Sequence, residues 1–196
     1  MSSLPNATDA TRYGRRMDDS PARPAREHPE LLAPPVIAAL AAGHAPSAQV
    51  LAIDPDLADT ASFCAEYGFA LAESANCVVV GAKRGGATRL AGCVVLATTR
   101  ADVNGLVRRH LDARKASFAA KDAAVEATGM EYGGITPVGL PADWPLLVDA
   151  AVAASARVVI GSGVRRSKLL VAGADLAKLP GAEVLEGLGM PVSPAG

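Results

Sequence analysis

The residues best suited to chemistry form a loop of small residues that follows a short predicted helix. The loop reads Gly133-Gly134-Ile135-Thr136-Pro137, and the helix is predicted over residues 121–128. Glycine lets a backbone adopt positive φ and approach a ligand closely, and proline fixes the chain while removing one amide donor. The loop can therefore present bare amides and carbonyls to a substrate, although composition alone favours an ordinary tight turn.

A second run of small residues, Gly161-Ser162-Gly163, lies between strands predicted over residues 158–160 and 168–171. It lacks the third glycine of a dinucleotide-binding loop, and a strand follows it instead of a helix. Ser162 does not stand in the sequence context of a nucleophile elbow, and the chain shows no convincing Ser-His-Asp or Cys-His set. Neither a dinucleotide motif nor a serine nucleophile is therefore assigned to this run.

Two groups of basic residues are candidates for contacts with nucleic-acid phosphates, which side chains of this type bind most often. One group adjoins the second glycine run and the other surrounds the end of a predicted helix: Arg165, Arg166 and Lys168, and Arg108, Arg109, Arg114 and Lys115. We predict that the first group binds RNA, because it lies beside a candidate pocket element. Solvated surface charge is the competing interpretation of both groups.

The potential metal ligands are too scattered to predict a metal site. The cysteines and histidines are Cys64, Cys77, Cys93, His28, His44 and His110. Their spacing matches no zinc pattern, and an odd number of cysteines argues against a disulfide framework. The cysteines are typical of small buried hydrophobic residues. We therefore expect neither a metal nor another cofactor.

Composition narrows the class of protein further. The chain has 196 residues, is 50% hydrophobic and only 4% aromatic, and carries a formal net charge of −1. Such a chain is long enough for one domain whose core is built mainly from aliphatic side chains. Its overall charge is not that of a nucleic-acid binder, so any RNA contact must come from local basic patches. The absence of long apolar runs and of a signal sequence predicts no membrane partner and a cytoplasmic location.

Hydrophobic periodicity and turn residues predict a mixture of helices and strands. Helices are predicted over residues 30–42, 54–67, 102–111, 121–128, 149–154 and 174–179, and strands over 49–53, 77–80, 90–97, 146–148, 158–160, 168–171 and 183–185. Residues 81–86 are predicted as the turn of a hairpin. The order of elements predicts an α+β domain with a mixed sheet or a partly closed β-barrel flanked by helices. This domain is expected over residues 29–196, after a disordered tail over residues 1–28.

The helix, the Gly-x-x-x-Pro pattern from Gly133 to Pro137 and the two strands around Gly161 resemble the YbaK/prolyl-tRNA-editing domain family. The resemblance extends over about residues 29–188. It implies hydrolysis of an amino acid wrongly esterified to the 3′ end of tRNA, with a small amino acid and tRNA for proline as candidates. It also implies aminoacylated tRNA as a partner and an aminoacyl-tRNA synthetase as a second candidate partner.

The family resemblance also implies site residues. The backbone of residues 133–137 is expected to position the ester and the attacking water, with help from the ribose hydroxyl of the substrate. Asn76, Gly161, Ser162 and Gly163 are expected to bind the substrate. A separate hydrolytic site is useful because a synthetase rejects a substrate smaller by one methylene by only about 10–200-fold.

Asn76 departs from the pattern of this family. Members usually have a lysine at the start of the strand before the hairpin, whereas this chain reads Ala75-Asn76-Cys77-Val78. An amide can form hydrogen bonds but supplies no charge for the tRNA end. The sequence therefore leaves two alternatives to an active deacylase: a non-catalytic module that binds the tRNA end, and a module that binds a small molecule.

Overall fold

The computed structural model describes residues 22–192, in which short helices flank three β-sheets. The α-helices are α1 (Pro34–Ala41), α2 (Thr60–Tyr67), α3 (Arg108–His110), α4 (Lys121–Thr128), α5 (Ala150–Ala153) and α6 (Gly173–Leu176). The strands are β1 (Arg23–Pro24), β2 (Gln49–Ala52), β3 (Ala75–Arg84), β4 (Ala87–Leu96), β5 (Thr99–Ala101), β6 (Lys115–Phe118), β7 (Leu146–Asp149), β8 (Val158–Gly161), β9 (Ser167–Val171), β10 (Ala182–Leu185) and β11 (Gly189–Pro191). The predicted α+β class is confirmed.

Two sheets carry most of the fold. The larger has the order β10-β7-β4-β3-β6, with parallel pairing from β10 to β4 and antiparallel pairing from β4 to β6. The second has the order β1-β2-β9-β8 and is antiparallel throughout. A single parallel bridge between Ser74 and Val159 links the sheets where β3 begins. The larger sheet is therefore mixed, as predicted, and the two sheets separate from this bridge.

The long β3–β4 hairpin is tighter than the sequence suggested. Gly85 and Gly86 alone form the turn, with φ of 57° and 84°, so both central residues lie in the left-handed region. Such a two-residue turn matches the twist of antiparallel strands. We expected the turn to span residues 81–86, but Gly81 and its neighbours continue the ladder opposite β4 and β6. Gly81 does not end the strand, because glycine can adopt the extended backbone of a strand as other residues do.

Several helices differ from their predicted bounds for local reasons. The first begins at Pro34 instead of near residue 30, because proline is favoured in the first turn of a helix. The helix predicted after Asp102 is a π-helical turn, Val103–Val107, followed by α3. The Asp102 carboxylate accepts hydrogen bonds from the amides of Gly105 and Leu106 and caps this turn. The strand β6 was missed because it is short, only two of its four residues are apolar, and three of the four are exposed.

The folded part begins before residue 29. Arg23 and Pro24 pair with β2, and Ala25 is fully buried in the core. We expected residues up to 28 to form the tail, and periodicity does not detect a two-residue strand. The rest of the predicted tail, residues 1–21, lies outside the described part of the chain. No helix within residues 22–192 is long and apolar enough to cross a membrane.

Candidate functional site

A cleft of about 400 Å³ opens where the two main sheets separate. We call it the central cleft. It is lined by the start of β3, the end of β8, Lys168 of β9, the first turns of α2 and α4, and residues Gly133 and Ile135 of the candidate loop. The cleft therefore combines residues that lie up to about half the chain length apart in sequence.

Backbone hydrogen bonds tie the 133–137 loop to the β8–β9 turn. Glu131 N donates to Gly163 O at 2.8 Å, and Gly163 N donates to Gly134 O at the same distance. Gly134 N in turn donates to Glu131 O at 2.9 Å. The Glu131 carboxylate also accepts a hydrogen bond from Arg165 N at 2.6 Å. The loop is thus held by backbone contacts on one side and is not a free surface turn.

The two loop residues that line the cleft keep their amides free of protein acceptors. Within residues 22–192, neither Gly133 N nor Ile135 N donates a hydrogen bond to the protein. Gly133 has a φ of 86°, which glycine adopts without the strain that a side chain would impose. Unpaired amides beside a cleft can donate to a carbonyl or to an oxyanion. The composition of the loop permits such an arrangement, although by itself it favours an ordinary tight turn.

Glycines allow the loop to lie directly on the second sheet. A Cβ on Gly161 would lie 2.4 Å from Gly134 O and 2.7 Å from Ile135 O. A Cβ on Gly134 would lie 2.7–2.8 Å from the backbone of Val164. The absence of side chains at both positions therefore brings loop and strand into contact. Of the two, only Gly161 lines the cleft.

Asn76 lies at the cleft, half-buried near the start of β3. Its side-chain oxygen accepts a hydrogen bond from the Thr60 hydroxyl at 2.7 Å. Thr60 is the first residue of α2. The Asp59 side chain caps the N-terminus of this helix by accepting hydrogen bonds from the amides of Ala61 and Ser62. Asn76 is therefore a fixed polar group of the cleft wall, joined to the start of a helix.

Lys168 is a buried cation of the central cleft. Only 5% of its surface is exposed, and it lines the cleft opposite Gly161 on the neighbouring strand. Its Nζ donates to Ala58 O at 2.7 Å and lies 5.5 Å from the centre of the Phe63 ring. Within residues 22–192 no carboxylate lies within 4 Å of this ammonium. It is therefore a buried positive charge without an ion-pair partner.

The surroundings of Lys168 lower its pKa from the ordinary value of 10.5. Burial is the main cause, because it disfavours the charged form of an amine. Cys64 and the Asp59 carboxylate oppose this shift, and the positive charge of Arg165 adds to it. A bound anion would favour the charged form of this amine.

The structure separates the other predicted site residues from the cleft. The Ser162 hydroxyl donates to the backbone oxygens of Val164 and Ser167 in the interior, and Gly163 packs against α1. Arg165 donates to Pro55 O, and Arg166 donates to Glu30 O. None of these four residues lines the central cleft, whereas Lys168 of the same predicted group does.

Cys77 lines the cleft, but its thiol is not suited to act as a nucleophile. Burial raises the pKa of the Cys77 thiol, and nearby Cys93 raises it further. The thiol therefore stays protonated at neutral pH, whereas the nucleophilic form is the thiolate. No histidine lines the cleft within the described residues. The polar groups that could act on a substrate in the cleft include backbone amides, Asn76, Asp59, Lys121 and Lys168.

Residues 22–192 contain no group of three His, Cys, Asp or Glu residues arranged to hold a metal ion. The cleft residues that the sequence did not single out include Asp59, Lys121, Phe118 and Tyr132. Phe118 and Tyr132 have a signal in retrospect, since each is an aromatic residue beside polar or glycine-rich sequence. Asp59 had no distinguishing signal, because aspartate before a helix is most often a cap.

Comparison with known proteins agrees with this architecture. A protein called hypothetical protein APE2540 superposes with a TM-score of 0.69 at 21% identity, covering 79% of this chain and 99% of that one. A protein provisionally named a trans-editing enzyme for prolyl tRNA synthetase superposes with a TM-score of 0.67 at 20% identity, covering 79% and 97%. At these identities the likeness shows the fold. The sequence profile of the aminoacyl-tRNA editing domain matches residues 54–179, which is more than half of the chain. The protein is a member of the aminoacyl-tRNA editing domain family.

Proposed function

We propose that the central cleft hydrolyses the ester between a small amino acid and the 3′ end of tRNA, with tRNA for proline as a candidate carrier. The observation that carries this proposal is the pair of unpaired amides, Gly133 N and Ile135 N, beside the cleft and next to Gly161. The family match supports the substrate class. The structural neighbour named as a trans-editing enzyme for prolyl tRNA synthetase supports the same substrate class.

The reaction needs few protein groups. Water attacks the acyl carbon, the bond from that carbon to the ribose oxygen breaks, and the ribose oxygen leaves with a proton. The products are the free amino acid and uncharged tRNA. The amides of Gly133 and Ile135 donate to the oxygen on which negative charge develops. The neighbouring ribose hydroxyl of the substrate assists the attacking water, as the family resemblance implies.

Lys168 supplies the positive charge that Asn76 lacks. Its ammonium is buried, borders the same cleft and has no carboxylate partner among the described residues. An anionic oxygen of the terminal nucleotide would give it that partner and remove much of the cost of its burial. Asn76 then acts as a hydrogen-bonding group of the wall. Arg165 and Arg166 contact more distant phosphates, with Arg166 the more exposed of the two.

A non-catalytic module that binds the tRNA end or a small molecule is the competing function. The uncharged Asn76, fixed by Thr60, is the observation that favours it. Such a module would use the same cleft and the same cation, but it would release no amino acid. Salt-dependent tRNA binding would distinguish a tRNA module from a small-molecule module.

A deacylation screen over tRNAs charged with different small amino acids tests the proposal. The parent is compared with Lys168→Met, which removes the charge at similar length, and with Lys178→Met as a matched control, because Lys178 is exposed and does not line the cleft. We expect release of at least one amino acid by the parent and by the control, and a higher KM in Lys168→Met. The absence of hydrolysis for every amino acid, with retained tRNA binding, would favour the non-catalytic module.

A further inference from the structure

Two large aromatic side chains are exposed at the edge of the central cleft. Phe118, at the end of β6, is 61% exposed, and Tyr132, just before the loop, is 55% exposed. Both line the cleft. The chain is poor in aromatic residues, and Phe63, which also borders the cleft, is fully buried and stacks with Tyr67 and Phe69. We call Phe118 and Tyr132 the aromatic rim. Their exposure beside a cleft is better explained by a ligand than by core packing.

A positive charge accompanies the aromatic rim. Lys121 begins α4 and lines the same cleft, and its Nζ lies 4.9 Å from the centre of the Tyr132 ring. Tyr132 keeps more than half of its surface exposed beside this contact. A ligand with both a flat ring and an anionic group would use the rim and the lysine together. A nucleotide has this combination, with a base that stacks on aromatic rings and a phosphate that pairs with lysine.

The position of the rim fits a nucleoside held by its ester. Tyr132 directly precedes Gly133, whose amide lies at the candidate ester site. In an aminoacylated nucleic acid, the base and the esterified hydroxyl belong to the same ribose. A platform for the base must therefore lie next to the ester site and closer to solvent, since the rest of the nucleic acid leaves the cleft. Tyr132 meets both conditions, and Phe118 lines the same cleft with its side chain exposed.

We propose that Phe118 and Tyr132, with Lys121, form a stacking site for the terminal base of the nucleic acid whose ester the cleft binds. This inference rests on the proposed function, because it names the nucleoside that carries the ester. The two aromatic rings stack on the base, and Lys121 pairs with the phosphate of the same nucleotide. The amino acid occupies the inner part of the cleft, beside Gly161.

Calorimetric binding of adenosine monophosphate and of ribose 5-phosphate to the full chain tests the stacking site. The variants are Phe118→Leu and Tyr132→Leu, which keep apolar bulk but remove the ring, and Phe118→Trp, which keeps a ring. Leu71→Ala is the control, because Leu71 is exposed and does not line the cleft. We expect adenosine monophosphate to bind each leucine variant about five- to a hundredfold more weakly, with ribose 5-phosphate unchanged. Phe118→Trp and the control should bind as the parent does.

Three results would overturn the stacking site. The first is a parent that binds adenosine monophosphate no better than ribose 5-phosphate. The second is unchanged binding, and an unchanged KM for aminoacylated tRNA, in both leucine variants. The third is an equal loss for both probes, which would assign the effect to the phosphate. The proposed function is judged separately by amino-acid release from the parent. A protein that binds the base through the rim without hydrolysis would retain this inference and lose the deacylase assignment.

Discussion

Gly161 on β8 lies against the carbonyl of Gly134 so closely that a methyl group on Gly161 would come within 2.4 Å of that oxygen. The contact joins the second sheet to the loop whose free amides border the cleft. Gly134 has no room for a side chain either, because a Cβ there would meet the backbone of Val164. Gly134→Val is therefore expected to disturb the fold as well as hydrolysis.

Gly161→Ala is the sharper test of the loop. The backbone of Gly161 is compatible with alanine, since its φ is not positive, but the methyl group must displace the loop carbonyls. We expect a loss of stability of about 1–3 kcal/mol, as for overpacking, and a fall in deacylation of about a hundredfold. Denaturant unfolding and single-turnover deacylation measure the two effects. Gly81→Ala is the matched control, because its methyl group would meet only side chains, the nearest at 3.3 Å. Equal activities in both variants would make the loop a structural turn.

Lys168 makes the stability of the protein depend on pH. Its pKa in the folded state is lowered, so between that value and 10.5 the unfolded chain binds more protons than the folded one. The free energy of unfolding should therefore rise with pH across this window, relative to the Lys168→Met variant, and the difference should be constant below it. Urea unfolding of parent and variant over a pH series measures the difference. A difference that is flat up to pH 10.5 would show that burial does not perturb this amine.

Asn76→Lys should strengthen tRNA binding. The new ammonium lies in the same cleft as Lys168, where it can meet an additional phosphate oxygen. We expect tighter binding and a log-log salt dependence steeper by about one unit or less. The change also removes the hydrogen bond from Thr60 and places a second charge near Lys168, so a lower free energy of unfolding is expected.

A salt series of binding measurements tests Asn76→Lys, and the double variant Asn76→Lys with Lys168→Met is its control. If either lysine can provide the cleft cation, the double variant should bind tRNA about as well as the parent. Unchanged affinity and slope in Asn76→Lys would place Asn76 away from the RNA. They would also leave Lys168 as the better anchor for the tRNA end.

Thr136 contains a buried hydroxyl without a partner among the described residues. The residue is fully buried, and its Oγ1 makes no hydrogen bond to the protein. An unsatisfied buried hydroxyl is destabilising, so Thr136→Val should raise the free energy of unfolding by about 1 kcal/mol and leave deacylation unchanged. Thermal and denaturant unfolding provide the measurement. A less stable or less active valine variant would show that the hydroxyl is used, by a buried water or by the substrate.

The sequence by itself determined the class of the fold and the residues of the loop. Alternating apolar runs, glycine turns and helix caps act locally, so they predicted most elements and the α+β class without any knowledge of contacts. The family was indicated separately, by the resemblance of the helix, the Gly-x-x-x-Pro pattern and the strands around Gly161. The same local signals missed β6, because its strand is stabilised by pairing with β3 and not by an apolar pattern. They also extended the Gly85–Gly86 turn over residues that the ladder keeps in strands.

Tertiary structure alone decided which residues share the cleft. Arg165, Arg166 and Lys168 are near neighbours in sequence, yet only Lys168 lines the cleft. Lys168 lies on β9 opposite Gly161 of β8, whereas Arg165 and Arg166 precede β9 and donate hydrogen bonds to Pro55 O and Glu30 O. Ser162 points the other way, into a hydrogen-bond network of the interior. Phe118 and Tyr132 come together with Asn76 because the two sheets separate at the Ser74–Val159 bridge. Such convergence depends on how distant segments pack, and hydrophobic periodicity carries no information about it.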